Sequence, residues 1–264
     1  TLLFFCVFVA FPLAFSFYDE LLSRERPRAG GEAADGIDPY ALLKAVREHA
    51  QRVTVYCQAT RIATPAKYRR LMAYLQSSVV QVQPASDDAV FHPKLWLLRF
   101  TRNNVDDVRY RVLCSSRNLT FDRSWDTLLA LDGELTDRTN AFAENHPLGD
   151  LVASLPRLSV STMDPNRRGT TLRMADELRR VRFELPDDVE SLKFHALGIE
   201  RHREWPFREK VDRLLVVSPF VTAETLQRLG RDVREDVLVS RVDQLQALPL
   251  AALATFFSSA SRSW

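Results

Sequence analysis

Two short stretches carry residue types that could do chemistry together. The first is Phe91-His92-Pro93-Lys94-Leu95-Trp96-Leu97-Leu98, and the second, about twenty residues later, is Cys114-Ser115-Ser116-Arg117-Asn118-Leu119. Side chains alternate along an extended segment, so His92 and Lys94, two residues apart, point to the same face. That face offers a nucleophile or base beside a fixed cation. The second stretch ends the apolar run Val112-Leu113-Cys114 in small hydroxyls, Ser115 and Ser116, and an amide, Asn118, as a strand delivering polar groups to a sheet end would. Cation, imidazole, hydroxyl and amide together describe a phosphate site.

The elements that must position these residues read as alternating strands and helices. Asp38-Pro39 opens a helix through an N-cap and a first-turn proline, with Leu42, Leu43 and Val46 on its apolar face. Residues 52 to 58 are β-branched and aromatic, hence a strand. Thr64-Pro65 repeats the cap signal before Tyr68, Leu71, Met72 and Leu75, and a second strand runs from Ser78 to Gln83. A strand, helix, strand unit implies an α/β fold, a mixed β-sheet flanked by helices. Residues 92 to 100 and 109 to 114 form an antiparallel hairpin that returns Asn118 toward His92. A further strand covers Asp126 to Glu134, closed by Asp132-Gly133, and residues 136 to 160 are helix and loop broken at Pro147 and Pro156. A helix begins at Thr170 with Leu172, Ala175, Leu178 and Val181 on one face and Arg173, Arg179, Arg180 and Arg182 around it, the pattern of a solvated charged face. Residues 192 to 199 read as a strand, 212 to 221 as a buried strand, 223 to 229 as a helix and 237 to 240 as a strand. Residues 213 to 241 thus repeat the order of 52 to 83, the sign of an internal duplication. The domain boundaries expected are 1–185 for a first repeat and 186–264 for a linker and an incomplete second repeat.

The chain has 264 residues, 46% hydrophobic and 27% charged, enough for one large domain or two ordinary ones. A formal charge of +2 makes the whole molecule no polycation, so any preference for nucleic acid must come from a local patch. Cys6, Cys57 and Cys114 each lie in an apolar run, where buried free thiols are expected, and an odd number of cysteines favours a reducing, cytoplasmic compartment. Leu2 to Phe15 is apolar but shorter than the ~20 residues of a spanning helix, so it reads as a core helix or strand without stable membrane insertion. Thr1, with no initiating methionine, reads as the point where a longer protein was cut.

The HPK of residues 92 to 94, the SSRNLTFDRSWD of 115 to 126 and the SPF of 218 to 220 resemble the phospholipase D superfamily, nearest its tyrosyl-DNA phosphodiesterase branch and also bacterial phospholipase D-like proteins. The resemblance covers roughly residues 38 to 250. It implies a phospholipase D-like repeat and metal-independent phosphodiester cleavage through a phosphohistidine, with no cofactor. By this likeness His92 attacks phosphorus or acts as partner acid, Lys94 binds non-bridging oxygens, Asn118 donates its amide, and Ser116 and Ser115 add donors. The substrate implied is DNA or RNA. Superfamily members carry two His-x-Lys motifs, and this chain departs in two ways. The position five after the lysine, an Asp in the lipase form, is Arg99, as befits the DNA-repair branch, which also lacks it. No second His-x-Lys follows the second unit before Trp264, so either a missing C-terminal half or a homodimer is expected to complete the site.

Plainer readings compete. His92 before a proline could be a capping residue, and Asn118 could occupy a left-handed turn position. Trp96 and Trp125 read as core rather than as base-stacking platforms. His195 and His202 are alternative second histidines, but Leu197 and Glu204 stand where a lysine would be. The rival functions are a non-catalytic module that binds nucleic acid or a partner through a degenerate site, and a membrane phospholipase anchored by residues 1 to 17.

Overall fold

The computed structural model describes residues 6–10, 44, 47–48, 50–60, 76–84, 89–101, 107–116, 127–137, 139–187, 189–199, 202, 205–207, 211–229, 233 and 235–257. The chain divides into two units, Phe4–His202 and Arg203–Trp264. The first is built on a seven-stranded mixed sheet, the α/β class expected from the sequence.

Its strands are β1 (Cys6–Ala10), β2 (Val53–Gln58), β3 (Val79–Val82), β4 (Lys94–Thr101), β5 (Val108–Ser115), β6 (Leu128–Leu135) and β7 (Val181–Phe183), in the spatial order β3-β2-β1-β4-β5-β6-β7. The apolar run near the start of the chain thus supplies β1, an interior strand, antiparallel to β2 and parallel to β4. With a strand on each side its backbone groups are paired. β2 and β3 are parallel, as a strand, helix, strand unit requires. The helix expected over 64–75 lies outside the described residues, and of the one opening at Asp38 only its end is described, with Lys44, Arg47, Glu48 and Ala50 helical. The hairpin is antiparallel, from Thr101↔Val108 to Leu95↔Cys114.

Two helices, α1 (His146–Leu158) and α2 (Pro165–Arg179), cover one sheet face. That face is the set of alternate residues Tyr56, Leu95, Leu97, Tyr110, Val112 and Leu131, which share one core with Leu155, Met174 and Leu178. Several expectations are corrected here. α2 starts at Pro165, not Thr170: Asp164 is the N-cap and accepts from the Arg167 N–H at 3.0 Å. Its buried face is Arg167, Thr171, Met174, Ala175, Glu177 and Leu178, while Leu172 is exposed and Val181 belongs to β7. Pro156 does not break α1; it sits in the last turn, so the one intrahelical bond its missing N–H removes is followed by only two more helical residues. Gly133 does not close β6 but pairs with Phe183, where a Cβ would meet the Val181 Cγ1 at 2.5 Å. Residues 192–199 form no strand; Leu192 and Phe194 pack on the core, and the Phe194 ring meets Phe183 edge-on at 5.7 Å. Cys57 is half-buried and Cys114 exposed, so the expectation of buried thiols fails at Cys114.

α2 is pinned to the sheet by polar bonds as well as by apolar contact. Arg99 on β4 donates to both carboxylate oxygens of Glu177, at 2.6 and 3.0 Å, and the Tyr110 hydroxyl on β5 donates to the same group. Burial and the neighbouring carboxylate push the Tyr110 phenol far up, so it stays a donor. Arg167 donates to the carbonyls of Val53 and Ala50, fixing the start of β2. Arg179 and His202 both hold Asp150 on α1, at 2.7 and 2.9 Å.

In the second unit β8 (Arg213–Val217) and β9 (Glu235–Val239) are parallel, connected through α3 (Ala223–Leu229), and followed by α4 (Val242–Ala247) and α5 (Leu250–Phe257). Leu226, Val233, Ala252 and Phe256 are buried there. β8 is not the buried strand expected, since Leu215 and Val217 are 65% and 69% exposed. Among the described residues no helix is long and apolar enough to cross a membrane.

Replacing Glu177 by Ala leaves the Arg99 guanidinium and the Tyr110 hydroxyl buried without their shared acceptor. The expected loss of stability is about 3–5 kcal/mol, read from chemical denaturation. An exposed pair such as Arg111–Asp132, broken by Asp132→Ala, should lose under about 1 kcal/mol in the same assay.

Candidate functional site

His92 stands at the mouth of β4. Its neighbours Phe91 and Pro93 are buried, and the Phe91 N–H donates to the Gln58 Oε1 at the end of β2, 3.1 Å away. These anchors leave the alternate residues, His92 and Lys94, half-buried together on the face opposite α1 and α2. The expected common face is therefore present. The Lys94 Nζ lies 3.4 Å from the His92 Nδ1. An ammonium can only donate, so Nδ1 accepts and the ring hydrogen sits on Nε2.

Burial first, and the Lys94 charge second, lower the His92 imidazole from its ordinary 6.5 to about 3. Both causes act in one direction, because each penalises a second positive charge at the same place. His92 is a neutral base at any physiological pH.

The β4–β5 register, carried one step past Leu95↔Cys114, sets Ser115 opposite Lys94. Ser115 is half-buried and pairs in turn with Leu128 on β6. Ser116 is exposed and closes the base of the next loop. Its N–H donates to the Thr127 carbonyl at 2.9 Å, and its Oγ accepts from the Thr127 N–H at 3.2 Å. Asn118 lies outside the described residues, in the segment 117–126 rooted at that closure. The sheet end thus brings together His92, Lys94 and Ser115, with Ser116 at the loop root. Gln58 had no motif to betray it; its only signal was its place at the end of a strand.

The other sequence candidates are placed elsewhere. Arg99, where the lipase form of the motif has an Asp, points to the core face and holds Glu177. His202 is engaged with Asp150, whose carboxyl, though penalised by burial, is held below its usual range by Arg179 and His202. His195 and His146 are exposed, and His49 lies outside the described residues. Arg179 and Arg180 are paired with Asp150 and Asp176. Among the described residues no group of three or more His, Cys, Asp or Glu could hold a metal ion.

The depressed imidazole has a pH signature. Its folded pKa lies below the unfolded one, so between about 6.5 and about 3 the unfolded chain takes a proton that the folded chain refuses. Stability from this group is constant above that window and declines as pH falls through it. The His92 ring resonances in NMR should stay at their neutral positions from pH 8 to pH 5, and Lys94→Met should raise the midpoint without restoring it fully, since burial remains. A midpoint near 6.5 in the unaltered protein would contradict the buried, cation-flanked placement. No protein-family model matches this chain, and comparison with curated proteins and with solved structures gives no match.

Proposed function

We propose that the chain carries one half of a metal-independent phosphodiesterase site of the phospholipase D type, acting on DNA or RNA through a phosphohistidine. The observation that carries this reading is the neutral imidazole of His92 held 3.4 Å from the Lys94 ammonium at the start of β4. A phosphodiester anion entering there meets a fixed cation, and its non-bridging oxygen competes with Nδ1 for the Lys94 Nζ. Drawing the ammonium to the phosphate releases the imidazole to present an unprotonated nitrogen. The N–P bond forms as the P–O bond to the leaving group breaks, and Lys94, Ser115 and the Asn118 amide neutralise the charge that gathers on the equatorial oxygens. The leaving oxygen takes its proton from an acid. By the superfamily likeness that acid is a second histidine, supplied by another copy of the chain or by further sequence. Water then attacks the phosphohistidine, giving its proton to the group that had acted as acid, and the P–N bond breaks to return the imidazole. The cytoplasmic compartment suggested by the free cysteines belongs to the same reading.

Full-length protein incubated with EDTA and either a labelled oligonucleotide or bis(p-nitrophenyl) phosphate should release product. His92→Ala should lower the rate by roughly a thousandfold or more, and Lys94→Met by about a hundredfold. Acid quenching should destroy, and alkali preserve, a labelled protein adduct that His92→Ala lacks. Salt-dependent binding without turnover would replace the catalytic reading by a binding module; turnover that survives His92→Ala would remove the site.

A further inference from the structure

The β1–β2 ladder sets two of the chain's three cysteines opposite each other. The Ala59 N–H donates to the Val82 carbonyl at 2.9 Å, which fixes the phase of β2. Val55 and Cys57 turn their backbone groups toward β3, and Thr54, Tyr56 and Gln58 turn theirs toward β1. Val7↔Tyr56 and Val9↔Thr54 are therefore the pairs that exchange hydrogen bonds, with Phe8↔Val55 between them as a non-hydrogen-bonded pair. Carried one step past Val7↔Tyr56, the register places Cys6 opposite Cys57 in a second pair of that kind. The Cα atoms of such a pair stand about 4.5 Å apart, inside the ~4.4–6.8 Å that a disulfide spans. The same row of the sheet continues through Lys94 on β4 to Ser115 on β5. Cys114, also on β5, stands apart from the pair. With β4 between β5 and β1, two interstrand steps separate Cys114 from the β1 backbone, roughly 10 Å and beyond the reach of a bridge.

We propose that Cys6 and Cys57 are a cross-strand dithiol that a peroxide converts reversibly into a disulfide. One thiolate attacks a peroxide oxygen and the O–O bond breaks. The sulfur becomes a sulfenic acid, and the departing hydroxide takes the thiol's proton and leaves as water. The second thiol attacks the sulfenyl sulfur, the S–S bond forms as the S–O bond breaks, and a second water departs. Two thiols are thereby oxidised and one hydrogen peroxide is reduced to two waters. A thiol reductant reopens the bond by exchange, so under reducing conditions the pair stays a dithiol. In that state the Cys57 Sγ donates to the Val80 carbonyl at 3.8 Å, a weak contact whose loss on oxidation costs little. The closed bond fastens β1, the strand beside Lys94, to the end of β2, where Gln58 holds the Phe91 N–H.

The full chain, treated with hydrogen peroxide, quenched with iodoacetamide and digested, should yield a peptide pair joined through Cys6 and Cys57 when read by mass spectrometry. The pair should vanish after dithiothreitol. Cys114→Ser should leave the link unchanged, and Cys57→Ser should abolish every link within the chain. In urea the unaltered chain should give all three pairings of its cysteines, because the register no longer selects partners. Peroxide that leaves Cys6 and Cys57 unlinked in the folded protein, whether alkylated or singly oxidised, would overturn the proposal. So would a link from Cys114 to either of them in the folded chain, or a Cys6–Cys57 link that forms only in urea. The unaltered protein and Cys114→Ser decide the matter even where Cys57→Ser fails to fold. None of these outcomes depends on His92 or on phosphodiester cleavage, so the dithiol and the phosphodiester site stand or fall separately.

Discussion

The first unit depends on one buried carboxylate. Glu177 sits on α2, yet its three charge-bearing contacts reach two strands, with Arg99 of β4 taking both oxygens and Tyr110 of β5 donating to one of them. A guanidinium and a carboxylate taken from water together are tolerated only if the geometry fills their hydrogen-bonding capacity. Here a fork meets a fork, and the phenol takes a further lone pair. The consequence reaches the site. β4 is held on its core face by Arg99, which leaves the residues of opposite parity, His92 and Lys94 among them, turned to the other side.

Elsewhere the same helix works through less costly bonds. Arg167 and Thr171 reach the start and middle of β2, the latter through the Tyr56 hydroxyl at 2.7 Å, and the burial that accompanies this pushes the Tyr56 phenol up to about 12. Asn145 donates to the carbonyls of Leu178 and Val181, satisfying the end of α2 where the chain turns into β7. At Gly149 the two helices come so close that a Cβ would stand 2.8 Å from the Ala175 carbonyl. One helix therefore sets the position of three strands and a neighbouring helix.

That organisation explains what could be read from the sequence and what could not. Strands β2 to β6 were legible because alternation and β-branching mark a half-buried pleat, and the parity of His92 and Lys94 follows from the pleat alone. α2 was misjudged because its buried face includes Arg167, Thr171 and Glu177. A search for apolar periodicity passes over such a face and fixes instead on Leu172, which is exposed. The start signal was present in Asp164-Pro165, the same pattern used at Asp38-Pro39. At the site, neutral His92 was not legible from spacing, since its first cause is burial in the folded chain, with the Lys94 charge second. Arg99 illustrates the converse: its departure from the lipase motif was visible, but its partner lies 78 positions away on a helix and could not be found by any local rule.

The two parallel strand pairs sharpen the point. β2–β3 and β8–β9 pair in the same parallel sense. In the first pair Tyr56, Val80 and Val82 are buried, because α1 and α2 lie across them and are tied down by polar bonds. In the second, Leu215, Val217, Val237 and Val239 share one face and are all more than half exposed. Apolar pattern alone makes both pairs; it does not cover them. What separates the two is a helix whose buried side carries the charges to lock itself to strands far away in sequence. The repeat of strand order thus carries with it no repeat, among the described residues, of the polar bonds that tie a helix across the first pair.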